Sequence, residues 1–110
     1  MLVRQFSRGD TLVALSAILQ DGSGVALDLS GQTITFYMES VTTGVAKVSG
    51  AAASIVDAAT GEVKYEWAAA DVDTLGSYWA WFVRTLGGKR ATHPIGDRLK
   101  IEIVDGPIDA

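Results

Sequence analysis

Apolar and polar residues alternate with a period of two along much of the chain, which is the spacing of half-buried strands. In Thr33–Met38, Ile34, Phe36 and Met38 share one face, and Thr33, Thr35 and Tyr37 share the other. Val63, Tyr65 and Trp67 alternate with Lys64 and Glu66 after the turn Ala58-Ala59-Thr60-Gly61, so this segment predicts a hairpin with one wet face. Leu99, Ile101 and Ile103 repeat the pattern near the C-terminus. Ser77–Thr85 is apolar and aromatic on both faces, which predicts a central strand covered on both sides. Thr11–Leu19, Val25–Leu29, Val45–Val48 and Ser54–Asp57 read as further short strands.

Turn residues separate these runs. Gln20-Asp21-Gly22-Ser23-Gly24, Ser30-Gly31, Thr42-Thr43-Gly44 and Leu86-Gly87-Gly88-Lys89 are strong breaks. Ala68–Leu75 is too short for an independent helix and reads as a connector ended by Gly76. Pro94 interrupts the return strand that begins at Arg90, so an edge, a bulge or a strand switch is expected there. About seven or eight short antiparallel strands at this spacing predict an all-β sandwich or small barrel. Residues 1–9 read as an N-terminal arm, residues 10–105 as the sandwich and residues 106–110 as a C-terminal tail. Leu2, Val3 and Phe6, interspersed with Arg4 and Arg8, suit an arm that adds to a neighbour's sheet edge. The competing reading makes this segment the domain's own first edge strand.

Composition narrows the function classes. A chain of 110 residues, 48% of them hydrophobic, is long enough for one continuous core. It has no cysteine, so neither disulfides nor a thiolate zinc site can hold it together. The net charge of −4 and the lack of a basic block argue against nucleic acid as a partner. No apolar run approaches a membrane span or the apolar segment of a signal peptide, so neither a membrane partner nor secretion is expected.

The search for chemistry finds no catalytic, cofactor or metal site. His93 is the sole histidine, and no Gly-x-Ser-x-Gly turn accompanies it; a strand-end histidine beside a proline is the simpler reading. Asp71 and Asp73 have the spacing of the first two ligands of a calcium loop, but Gly76, Ser77 and Tyr78 follow where further ligands belong. Gly87-Gly88-Lys89 is followed by Arg90 and is no phosphate loop. Arg8-Gly9-Asp10 spells an adhesion tripeptide but reads as a bend before a strand. The aromatics Tyr37, Trp67, Tyr78, Trp79 and Trp81 suit a core or sheet interface better than a glycan platform, with one of Trp79 and Trp81 left partly exposed.

One constellation is structurally specific. Gly76-Ser77-Tyr78, at the start of the most apolar strand, is how a tyrosine corner is written in immunoglobulin-like sandwiches; the phenol reaches back to upstream backbone. Tyr78 and Gly76, with Trp67 and Phe36 in the core, are the expected structural residues.

Beyond that corner, a series of motifs in one order carries a resemblance. It runs Gly9-Asp10-Thr11; Leu19-Gln20-Asp21-Gly22; Leu27-Asp28-Leu29-Ser30-Gly31; Ile34-Thr35-Phe36-Tyr37-Met38; Ile55-Val56-Asp57-Ala58-Ala59-Thr60-Gly61-Glu62-Val63-Lys64-Tyr65-Glu66-Trp67; Asp71 and then Gly76-Ser77-Tyr78-Trp79-Ala80-Trp81-Phe82; and Thr92-His93-Pro94 before a last Ile-x-Ile strand. The series resembles the N-terminal immunoglobulin-like domain of phage baseplate upper proteins and related phage and prophage structural proteins. The resemblance implies an immunoglobulin-like sandwich without enzymatic activity. It implies an attachment or adaptor role in the tail, baseplate or fibre-attachment region of a virion, made in the host cytoplasm. Other phage structural proteins are the implied partners, with homo-oligomerisation inside the particle left open. Long members of the family continue into helical or receptor-binding parts, whereas this chain resembles the attachment domain standing alone. Two alternatives stay open: a capsid decoration or cement protein, and a carbohydrate or host-surface binding module that uses exposed aromatics.

Overall fold

The computed structural model describes residues 2–94 and 98–105. Within them the chain forms eight strands: β1 (Leu2–Ser7), β2 (Leu15–Ile18), β3 (Thr33–Ser40), β4 (Ala46–Asp57), β5 (Glu62–Tyr65), β6 (Gly76–Leu86), β7 (Lys89–His93) and β8 (Leu99–Val104). They make one continuous sheet in the order β1-β8-β6-β3-β4-β5-β2, with β7 also on β6. The sheet curls into a half-barrel around its own apolar face. The fold is therefore all-β, as the alternation predicts, and β4 is the strand shared by its β1-β8-β6-β3 part and its β5-β2 part.

β4 makes the curl. Its first part pairs with β3 and its last part with β5. The two short strands expected at Val45–Val48 and Ser54–Asp57 are thus ends of one strand. The register slips between Phe36 and Tyr37 because Gly50, at φ +72°, is an extra residue on the β4 side. Such a bulge bends a strand and adds twist.

The core comes from alternate residues. Ile34, Phe36 and Met38 of β3 meet Tyr78, Ala80 and Phe82 of β6 and Leu99, Ile101 and Ile103 of β8, all buried. Val63, Tyr65 and Trp67 close over them from the β5 side. Phe36 is the hub of an aromatic cluster, with ring centroids 4.5 Å from Tyr65, 5.1 Å from Phe82 and 5.8 Å from Trp67. Filling the core with such rings gains both buried area and edge-to-face contacts.

Several expectations are corrected. Thr11–Ala14 is not strand; it finds no partner, and Leu12 and Val13 lie in solvent. Val25–Leu29 is a loop in which Ala26 alone makes a bridge, antiparallel to Gln20. The Leu27 N–H reaches the Leu19 carbonyl and the Leu29 N–H the Ala58 carbonyl, so the backbone is satisfied without a ladder while Leu29 drops into the core. β6 is central but covered fully on one face only, since Trp79 and Trp81 are half-buried. The arm is part of the domain. β1 pairs with β8 in parallel, Leu2 opposite Leu99 through Ser7 opposite Val104, so the sheet is not purely antiparallel. The expected tail at 106–110 lies outside the described residues.

Gly61 fixes the β4–β5 turn. It sits at φ +74°, and a Cβ there would lie 2.6 Å from the Leu19 carbonyl oxygen and 2.9 Å from that of Leu27. Only glycine fits where three backbone segments converge.

Candidate functional site

The residues singled out in the sequence fall into four places. Tyr78 is buried, and its phenol donates to the Thr74 carbonyl at 2.9 Å, four residues upstream. Gly76 opens β6 beneath that ring; a Cβ on it would lie 3.8 Å from the phenol oxygen. The connector between β5 and β6 is thereby pinned to the strand it feeds. Trp67 and Phe36 lie in the core, and the Trp67 Nε1–H is buried with no partner among the described residues.

Asp71 and Asp73 do not converge. Asp71 is buried in a short 3-10 turn (Ala69–Val72), where its Oδ2 accepts from the Tyr65 phenol at 2.6 Å and from the Ala68 N–H at 2.9 Å. Burial and the Asp71 carboxylate beside it push the Tyr65 phenol above its ordinary pKa, so this phenol is a permanent donor. Asp73 points out and pairs with Lys47 at 2.6 Å. Its hydrogen bonds with Lys47 and Thr74 hold it below the usual carboxylate range. Among the described residues no three His, Asp or Glu side chains gather as a metal cluster.

His93 is a joint of the fold. Arg84 Nε donates to its Nε2 at 2.9 Å, and Arg84 Nη1 reaches Gln32 Oε1 at 3.3 Å, tying β7 to β6 and to the start of β3. An Nε2 that accepts belongs to a neutral ring with its proton on Nδ1. Burial and the Arg84 charge hold the ring below the ordinary histidine pKa. The Gln20 backbone beside the ring acts in the opposite direction and to a smaller extent. The Arg84–Gln32–His93 set was not legible in the sequence, because its members are spaced by strand pairing rather than by any motif.

Arg8-Gly9-Asp10 is a bend: the Gly9 N–H donates to the Val72 carbonyl, and Arg8 pairs with Asp105 at 2.8 Å. Gly87-Gly88 is the two-residue turn between β6 and β7, with Leu86 paired to Lys89. On the outer face of the sheet, Tyr37 and Trp81 stack with centroids 5.6 Å apart and planes 3° from parallel. The Arg98 guanidinium lies 4.7 Å over Trp79. One face of each of these rings is therefore already covered. A shallow cavity of about 270 Å³ lies at this face, lined by Glu39, Trp79, Trp81 and Arg98 among others.

The remaining feature is the mouth of the half-barrel. β1 and β2 end the strand order and are not paired with each other. Between them lies a cavity of about 430 Å³ whose lining includes Leu2 and Arg4 of β1, Ala17 and Ile18 of β2, and Phe82 and His93. Leu2 is 45% exposed, Val3 42% and Ile18 56%. Phe6, by contrast, turns inward with its ring 5.1 Å from Trp67. Of the three residues expected to meet a partner, two remain available and one belongs to the domain's own packing.

These features define a half-barrel β domain whose wide mouth is bordered by strand edges. Among solved structures the chain is similar to the N-terminal domain of phage TP901-1 ORF48, with a TM-score of 0.62 and 18% identity over 96% of this chain and 86% of that one. No protein-family model and no curated protein matches it.

Proposed function

We propose that this domain is a non-enzymatic structural component of a tailed bacteriophage particle. In this reading it is an attachment or adaptor domain of the tail, baseplate or fibre-attachment region. Its partners are other particle proteins and its place of action is the virion. The observation that carries the reading is the similarity of nearly the whole chain to the N-terminal domain of a phage protein. The motif series quoted above supports the same reading from the sequence side.

We further read the curl as a variant of the immunoglobulin-like sandwich. Three features favour this: the first strand runs parallel to the last, a tyrosine corner stands at the start of a central strand, and the core lies between the β3-β6-β8 and β5-β2 layers.

Antibody labelling of purified particles from the phage or prophage that carries this chain tests the function. Label at the tail or baseplate is the expected result. Label over the head would favour the capsid-decoration alternative, and particles without the chain would overturn both.

A further inference from the structure

The mouth of the half-barrel has a chemistry of its own. The parallel β1–β8 ladder includes the bonds Leu2 N–H to Arg98 carbonyl and Arg8 N–H to Val104 carbonyl. Backbone groups alternate sides along a strand, so Leu2, Arg4, Phe6 and Arg8 bond to β8, while Val3, Gln5 and Ser7 point away from it. The Ser7 carbonyl is taken by the Asp10 N–H. The outer edge of β1 therefore offers N–H groups at 3, 5 and 7 and carbonyls at 3 and 5 with no strand beside them among the described residues. On the opposite rim, the Leu19 N–H bonds to the Gly61 carbonyl on the β5 side, which sets Ala17 and Leu15 facing β5 and turns the backbone of Ser16 and Ile18 outward. Pairing around the sheet makes β1 and β2 antiparallel to each other, yet they stay apart.

We propose that the β1 edge is an acceptor site for an extended segment of a partner protein, which adds as a strand and covers the mouth. This rests on the reading of the domain as an adaptor, and it reverses the expected direction of strand addition: the domain receives a strand instead of donating its own. Two features define the occupant. The cavity beside β1 has Leu2, Ala17, Phe82 and Leu99 in its lining beside polar Ser16 and Gln20, so the inward side chains of the added strand that meet this apolar wall are apolar. Arg4 lines the same cavity and makes no ion pair with a described residue; Asp21, also in the lining, is engaged by the Ser23 and Val25 N–H groups, so the residue facing Arg4 is Asp or Glu. A second copy of the chain fits poorly, since two β1 edges paired about a two-fold axis would bring two Arg4 side chains to one seam and join two chains of net charge −4.

The experiment uses the intact chain and a synthetic peptide, acetyl-Thr-Val-Thr-Glu-Thr-Val-Thr-amide. Its addition is expected to shift the amide resonances of Val3, Gln5 and Ser7 and slow their hydrogen exchange. Gln5→Pro removes an N–H that β8 does not use, so this variant is expected to keep its melting temperature and bind the peptide at least tenfold more weakly. Arg4→Glu is expected to lose the Glu peptide and gain the same peptide carrying Lys in its place, a swap that a folding defect cannot produce. Shifts confined to the Trp79–Trp81 face, or binding indifferent to both substitutions, would overturn the proposal. So would dimerisation without peptide binding that Gln5→Pro abolishes. Failure of these assays with the chain still labelled on particles would remove the edge site and leave the adaptor reading standing.

Discussion

The buried Tyr65–Asp71 pair is the sharpest test of how this fold is held. Tyr65 ends β5 and Asp71 sits in the turn that leads to β6, so the pair clamps the connector onto the core. Asp71 Oδ2 accepts two hydrogen bonds, from the Tyr65 phenol at 2.6 Å and the Ala68 N–H at 2.9 Å. Asp71→Ala removes both and strands two donors, one of them in the core. A hydrogen bond to a charged group contributes about 1.5–3 kcal/mol, and a stranded buried donor costs about 1–3 kcal/mol. A total loss of about 3 kcal/mol is expected, because Ala68 lies near solvent and regains water. For a chain of this length that is a fall in melting temperature of roughly 10–15 °C. Tyr65→Phe keeps the ring stacked on Phe36 and removes only the hydroxyl, with an expected loss of about 2 kcal/mol. The double variant, measured by urea unfolding with both single variants, closes a cycle whose coupling should exceed about 1 kcal/mol. Coupling near zero with unchanged m-values would refute the clamp and leave Asp71 as a simple turn cap.

Three further outcomes follow from the geometry. Tyr78→Phe should cost about 1 kcal/mol by stranding the Thr74 carbonyl, and an unchanged urea midpoint would remove the tyrosine corner. Gly61→Ala should cost more than about 2 kcal/mol, because its Cβ meets backbone oxygens that cannot move aside; circular dichroism melting gives the answer. The third concerns pH: with its folded-state pKa below the ordinary 6.5, His93 is neutral in the fold. The unfolded chain takes up the proton first, so stability should decline as pH falls below about 6.5 and stop declining once the folded-state pKa is passed. Asp28 and Asp73, also held low, act only below about pH 4, so His93→Gln should flatten the urea midpoint between pH 6.5 and 5 without touching the acid limb.

The sequence by itself determined the strand faces. Ile34, Phe36 and Met38, then Val63, Tyr65 and Trp67, then Leu99, Ile101 and Ile103 point inward as their period of two requires, because a strand has no other way to bury alternate residues. It also carried the turns at Gly61 and Gly87-Gly88 and the spacing of Tyr78 after Gly76. These are local properties, decided by a residue and its near neighbours. Only the tertiary structure decided which strands pair, since hydrophobic alternation is blind to partners. For that reason Thr11–Ala14 and Val25–Leu29 looked like strands and are not, and two apparent strands are one β4 bent at Gly50. The same holds for Asp71, whose partner Tyr65 is set by the fold of the connector, and for His93, whose partner Arg84 is its neighbour across a hairpin. It holds most for Leu2–Ser7: six residues can say that a strand is present, but whether it joins its own sheet, and which edge it leaves open, depends on β8 arriving from the other end of the chain.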